Sequence, residues 1–256
     1  MISIIIPVLN EASGITRLLN HLRDHTFGHI KEIIIADGGS SDATVGRVSK
    51  FKSDAPDLNV ILVHSKKGRA RQMNTGAAHA MGEVLYFLHA DSFPPKNFDA
   101  LIMEQVKKGN PAGCFRMRFD NDHWWLRLAG WFTKFSWRAC RGGDQSQFIT
   151  RDLFEEINGY DESYIIYEDN ILINELYARN NYVVIQEWLT SSARLYEEKG
   201  IWYLQYHFWA IYVKKWLGAG PDELLDYYIK NIKQDRRPQL QQETPKAVKP
   251  AKVYAE

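Results

Sequence analysis

Four short apolar runs lie between Ile2 and Asp91, and each is closed by a turn of polar or acidic residues. They are Ile2 to Val8, Glu32 to Ala36, a run near Asn59 to His64, and Val84 to Asp91. Runs this short, rich in branched and aromatic side chains, read as buried strands of a parallel sheet. Between the first two, Ile15, Leu18, Leu19 and Leu22 follow helical spacing. Repeated strand-helix units close with right-handed crossovers into an α/β sheet. In such sheets ligands gather beyond the carboxyl ends of the strands, so the residues that end each run are the candidates for function.

Read that way, Asn10 and Glu11 end the first run and Asp37 ends the second, inside Asp37-Gly38-Gly39-Ser40-Ser41-Asp42-Ala43-Thr44. The basic stretch Lys66-Lys67-Gly68-Arg69-Ala70-Arg71 follows the third and opens a helix of small residues through Ala80. The fourth is expected to run to Asp91, with Ser92-Phe93-Pro94-Pro95 stopping it in a stiff turn. A carboxylate there is placed to hold a metal ion, with capping of the helix near Lys96 as the alternative. Beyond a helix over Phe98 to Val106, a strand is expected at Cys114 to Phe119 and an aromatic helix over Asp122 to Trp137. Next come a loop at Gly142 to Gln145, a strand at Ser146 to Ile149, and a helix opened by Tyr167-Glu168-Asp169-Asn170. A strand at Tyr182 to Ile185 and helices over Ile201 to Leu217 and Leu224 to Ile232 complete the order.

Composition narrows the partners. With 32 basic and 31 acidic residues the net charge is +1, which gives no general attraction to nucleic acid. Cys114 and Cys140 have no Cys-x-x-Cys spacing, so neither a zinc site nor a disulfide framework is indicated and a reducing, cytoplasmic compartment fits. The start at Met1 runs straight into Ile2-Ser3-Ile4-Ile5-Ile6 without a basic leader, as a first strand does. No apolar stretch approaches the ~20 residues that cross a bilayer. From about Gln234 onward Pro, Gln, Lys and Glu dominate, the composition of a disordered tail.

The order Pro7-Val8-Leu9-Asn10-Glu11, then Asp37 to Thr44, Gly68-Arg69-Ala70, His89-Ala90-Asp91 and Glu168-Asp169 resembles the family 2 glycosyltransferases, closest to a small bacterial branch with His-Ala-Asp at the metal position. The resemblance implies the GT-A fold, a mainly parallel α/β sheet flanked by helices. It covers residues 1 to 217, leaving 218–233 as a helical extension and 234–256 as the tail. It further implies a nucleotide-diphosphate sugar donor, UDP-sugar first and GDP-sugar next, a hydroxyl acceptor, Mn2+ or Mg2+, and inversion at the anomeric carbon. Glu11 and Asp37 match positions that hold the nucleoside, where carboxylates accept from ribose hydroxyls or a base N-H. The bland alternatives are a first-turn acid for Glu11 and a turn-former for Asp37.

Arg69 matches a donor-binding cation, and Asp91 the last acid of the Asp-x-Asp metal motif. His89 replaces that motif's first acid, either as a ligand that would favour manganese or as a packed strand residue. Asp169 matches the catalytic base, with Glu168 as runner-up and two helix N-terminal acids as the bland reading. Asp144 falls where the sugars bind, and Arg194 where related enzymes place a cation near the diphosphate.

The helix after Ile201 puts Trp202, Tyr206, Trp209, Val213 and Trp216 on one face beside Lys214 and Lys215. A stripe at this spacing is expected to pack on the core or at a homodimer contact. The alternative is peripheral contact with the inner face of a membrane, presenting a lipid-linked acceptor. His207 on the same helix is a further candidate metal ligand. The rival functions are a sugar-nucleotide-binding or membrane partner without turnover and, less favoured, a sugar nucleotidyltransferase. The latter carries a glycine-rich basic loop after its first strand where this chain has Pro-Val-Leu-Asn-Glu.

Overall fold

The computed structural model describes residues 1–180 and 182–233. Its first half alternates β1 (Ile2–Val8), α1 (Ile15–His25), β2 (Ile30–Asp37), α2 (Thr44–Asp54), β3 (Val60–His64), α3 (Arg69–His79) and β4 (Val84–Phe87). There follow β5 (Ser92–Phe93), α4 (Phe98–Lys107), β6 (Ala112–Phe119), α5 (Trp124–Phe132), β7 (Gln147–Thr150), α6 (Arg151–Glu156), α7 (Glu168–Ala178) and β8 (Val183–Ser191). The described chain closes with α8 (Arg194–Lys199), α9 (Ile201–Trp216), α10 (Pro221–Tyr228) and a π-helical turn at Ile229–Lys233. The tail expected over 234–256 lies outside the described residues.

All eight strands join one sheet in the order β3, β2, β1, β4, β7, β6, β8, β5. The four strands of the first half are parallel, and their register sets Val8 opposite Asp37 and Asp37 opposite His64. Those carboxyl ends therefore share one edge. β7 is inserted antiparallel between β4 and β6, so the sheet is mixed beyond that point. Side chains alternate across it, as a pleat requires. Ile4, Ile6 and Val8 face a core with Leu18 and Leu22 of α1 and Phe98 of α4. Ile5 faces the other, with Met73 of α3 and Leu172 of α7. Each fully buried Ile or Leu contributes roughly 1.5–3 kcal/mol. The small residues of α3 have a reason here: a Cβ on Gly76 would lie 2.5 Å from Ile5 Cγ2.

Two local expectations are corrected. β4 ends at Phe87 rather than Asp91, because its partner register stops at Ile5 opposite Phe87 on one side and at Gln147 opposite Phe87 on the other. Leu88 to Asp91 are a turn closed by Ser92 N donating to His89 O at 3.1 Å. Ser92-Phe93, expected to be the stop, is itself a strand, antiparallel to Ser191 and Thr190 of β8. Asp91 also does not cap the next helix, which starts at Phe98 behind a left-handed Asn97.

The C-terminal helices share a third core, in which Leu204 and Ile211 of α9 meet Leu224 of α10 and Tyr164. The expected packing of the aromatic stripe on the chain's own core is corrected. Trp202, Tyr206, Trp209, Val213 and Trp216 are 50–84% exposed, because α9 packs through its opposite face. No helix among the described residues is long and apolar enough to cross a membrane.

Candidate active site

The loops after β1 and β2 are zipped together by their short polar side chains. Asn10 turns the chain with φ 58° and donates from its backbone N to Ser40 Oγ at 2.9 Å, while its Oδ1 accepts from Ser41 N at 2.8 Å. Glu11 N donates to Thr44 Oγ1, and Ala12 N to Asp42 Oδ2. Beneath them Gln72 of α3 is buried and donates from Nε2 to Val8 O and Ala36 O, 2.8 Å each. That amide ties the ends of two parallel strands where their ladder stops. The Asp37 carboxylate is buried and accepts from Gly39 N and Ser40 N, so it builds its own turn. His64 Nδ1 lies 3.7 Å from it.

Glu11 and Arg194 come together, with Arg194 Nη2 3.8 Å from Glu11 Oε1. The short β5 and β8 pair explains this encounter across the sequence. Ser192 N donates to Asp91 O at 3.2 Å, which carries the start of α8 to the Asp91 turn. Partial burial raises the Glu11 carboxyl above its ordinary range, Arg194 opposes that rise, and the charge of Asp91 adds to it.

Opposite them sits a tighter group. Asp169, in the first turn of α7, is almost buried. Burial first, and the like charge of Glu168 second, push its carboxyl well above the usual carboxylate range, with Arg69 pulling it back. Glu168 is 1% exposed, and its Oε1 finds no hydrogen-bond partner although Arg69 Nη1 stands 3.8 Å away. His89 lies between two acids, Nδ1 3.8 Å from Asp144 Oδ1 and Nε2 3.8 Å from Asp169 Oδ2. Burial, with the charge of Arg69, pushes its pKa down to about 3, so the ring is neutral and these approaches are not ion pairs. The Asp144 carboxyl is raised by partial removal from water, against the pull of Arg69 and with the push of Asp91. Nine residues singled out in the sequence thus stand on the edge that the strand ends define.

Several residues that build this group carry no sequence signal. Gly143 packs so closely on Asp169 that a Cβ there would fall 2.0 Å from Oδ2 and 3.0 Å from Asp169 Cβ. Its loop, a 3₁₀ turn at Gly143–Gln145, is held from below by buried Arg141. Arg141 donates from Nη1 to Gln145 Oε1 at 2.5 Å and from Nη2 to Thr133 O and Phe135 O at 2.5 and 2.7 Å. Tyr160 lines a narrow cavity together with His89, Gly143 and Asp169, and its buried hydroxyl has no partner. Of these residues only Gly143 lies in a stretch marked from the sequence, the loop at Gly142 to Gln145. By contrast His207 is a core residue of the α9 and α10 seam, with Nδ1 2.7 Å from Tyr227 Oη.

A parallel half-sheet continued by an antiparallel insertion, with acids and arginines gathered at its carboxyl edge, is of GT-A architecture. The chain belongs to glycosyl transferase family 2, whose family model matches residues 3–165. It is 31% identical over 180 residues to an uncharacterized glycosyltransferase of Mycobacterium tuberculosis, covering 67% of each chain. It is 33% identical over 94 residues to the glycosyltransferase AglE of Haloferax volcanii, covering 36% of this chain but only 31% of that one. Among solved structures, the mannosyltransferase PcManGT of Pyrobaculum calidifontis, in complex with GDP-Man and Mn2+, superposes with a TM-score of 0.63 at 20% identity, over 93% of this chain and 65% of that one. TarS of S. aureus in complex with UDP gives 0.60 at 18% identity, over 75% and 60%.

Proposed function

We propose that this glycosyltransferase moves a sugar from a nucleotide diphosphate to a hydroxyl acceptor with inversion and with the help of a divalent cation. The observation that carries the reading is the convergence of Asp169, Glu168, Arg69, His89 and Asp144 at the edge where Glu11, Asp37, Asp91 and Arg194 also stand. Asp169 takes the acceptor's proton as its oxygen attacks the anomeric carbon and the diphosphate departs with the bonding pair. A carboxyl raised by burial is a stronger base than an exposed one, which suits that task near neutral pH. Glu168 stays behind it, countered by Arg69. Glu11 and Asp37 receive the nucleoside, Arg69 and Arg194 face the diphosphate, and Asp144 receives a sugar hydroxyl.

The donor set fits a hard cation shared with substrate. Half-buried Asp91 acts electrostatically on both Glu11 and Asp144, and all three offer only oxygen. Among the described residues no three metal-binding side chains converge, so one or two carboxylates, Asp91 first and Asp144 next, would hold the ion while phosphate oxygens complete its shell. When bound, the ion supplies countercharge to the leaving diphosphate. His89, neutral and with a nitrogen 3.8 Å from each of Asp144 and Asp169, lies between the two acids in this scheme. The complexes of TarS with UDP and of PcManGT with GDP-Man favour a uridine or guanosine donor. Cytoplasmic placement, peripheral membrane contact, a lipid-linked acceptor and pairing of two copies extend the same proposal.

Incubating the protein with UDP- and GDP-sugars and either Mn2+ or Mg2+ tests it through release of nucleoside diphosphate. The expected result is release from one donor by the natural protein and none by Asp169→Asn. No release from any donor, with nucleotide binding intact, would favour the rival sugar-nucleotide-binding protein.

A further inference from the structure

The exposed aromatic stripe of α9 is not alone. Trp124, Leu128 and Trp131 of α5 recur at helical spacing and are also exposed, at 59%, 36% and 44%. The two helices touch through Trp125, whose ring lies 5.3 Å from Trp202 and 5.8 Å from Trp209, and whose Nε1 donates to Gln205 Oε1 at 3.1 Å. Trp124 meets Trp202 at 5.7 Å. The two stripes therefore form one surface, larger than the scattered apolar residues that a solvated surface ordinarily carries.

Its chemistry selects the partner. From Trp124 to Arg141 the chain has four cations and no acid, and from Ile201 to Leu217 it has two cations and no acid, against +1 for the whole chain. Arg141 is buried and Arg138 is bonded to Asn170, but Arg127 is exposed, and Lys134 lies over the Trp131 ring at 3.8 Å. Lys214 is answered by Glu223 of α10 at 2.8 Å, and Lys215 by the Tyr164 hydroxyl. A two-fold contact between copies would set Arg127 and Lys134 of one copy toward those of the other, cation toward cation. Amphipathic rings flanked by cations suit instead the headgroup level of a bilayer that carries anionic lipid.

We infer that the joined faces of α5 and α9 seat the protein on an anionic membrane surface. Docking of this kind deepens the peripheral membrane contact of the proposed function by naming its surface and its lipid charge, and it needs no sugar chemistry. It bears on the site because α9 also reaches α7: Tyr212 Oη donates to Asn170 Oδ1 at 3.3 Å, one residue from Asp169. A membrane against α5 and α9 thus lies beside the helix that carries the proposed base.

The test is sedimentation of the full chain with phosphatidylcholine vesicles, with and without phosphatidylglycerol, with tryptophan emission recorded alongside. The inference expects binding to the anionic vesicles, a blue shift on binding, and at least about tenfold weaker partitioning of a Trp209→Ser, Trp216→Ser double variant of unchanged melting temperature. Sedimentation no greater than without vesicles overturns it. So does equal binding by the double variant, or a concentration-dependent dimer that the variant dissolves while vesicles are ignored.

Discussion

Replacing Gly143 by Ala probes the contact on which the proposed base depends. The added Cβ would lie 2.0 Å from Asp169 Oδ2 and 2.6 Å from Cγ, where unstrained contacts between heavy atoms begin at about 3.5 Å. Rotating the carboxylate clears Oδ2, yet Asp169 Cβ is itself only 3.0 Å away, so the loop or the start of α7 must also yield. A displacement on the order of 1 Å at a reacting group costs roughly a hundredfold in rate, or about 2.7 kcal/mol of transition-state stabilisation. Overpacking of this kind costs about 1–3 kcal/mol of stability, a loss visible as a lower melting temperature without loss of the fold. Steady-state turnover should therefore show kcat reduced about a hundredfold, with a smaller rise in the KM for donor because Asp144 shares the loop while the nucleoside-facing residues stand elsewhere. Activity within about twofold of the natural protein would refute the claim that this contact sets the position of the base.

Three further perturbations follow from the same geometry. Asp169→Asn should abolish transfer, by about 10²–10⁴-fold or more, while raising the melting temperature above neutral pH. The sign comes from the raised carboxyl: its folded form favours the proton, so the contribution to stability is complete below the unfolded pKa near ~4 and is lost as pH rises through the elevated folded value, a loss Asn avoids. By the same elevation, the acid limb of the pH-rate profile should lie well above the ordinary carboxylate range, and a limb near pH ~4 would speak against Asp169 as base. Arg141→Leu strips Thr133 O, Phe135 O and Gln145 of their donor and should destabilise by about 3 kcal/mol, measured by denaturant unfolding; an unchanged midpoint would show that the loop holds itself.

The sequence made the strand ends legible because residues there are consecutive: an apolar run followed by Asn10-Glu11, by Asp37 or by His89-Ala90-Asp91 marks its own edge. The resemblance to the family, not the strand pattern, linked Arg69 with Glu168-Asp169, and the structure brings Arg69 to 3.8 Å from Glu168. What the sequence missed is mostly set by partners distant in the chain. β4 stops at Phe87, where its pairing with both β1 and β7 ends, which the apolar run through Leu88 does not disclose. Gln72 and Tyr160 owe their places to strand ends and loops more than a helix away, and Arg141, though it bonds Thr133, Phe135 and Gln145 nearby, sits in a stretch with no regular pattern, so their local sequence reads as ordinary. The α9 stripe shows a different limit. Periodicity reveals which face of a helix is aromatic, but the partner that covers it is a matter of tertiary packing, and here the opposite face met the core.

The most direct measurement is calorimetric titration of the protein with UDP and GDP, first with Mn2+ and then with chelator, repeated on Asp91→Asn. A transferase that uses a cation shared with the diphosphate should bind one of these nucleotides with metal, lose most of that binding with chelator, and lose it similarly in Asp91→Asn. Failure of either nucleotide to bind under any condition, or binding indifferent to both chelator and Asp91→Asn, would contradict the account.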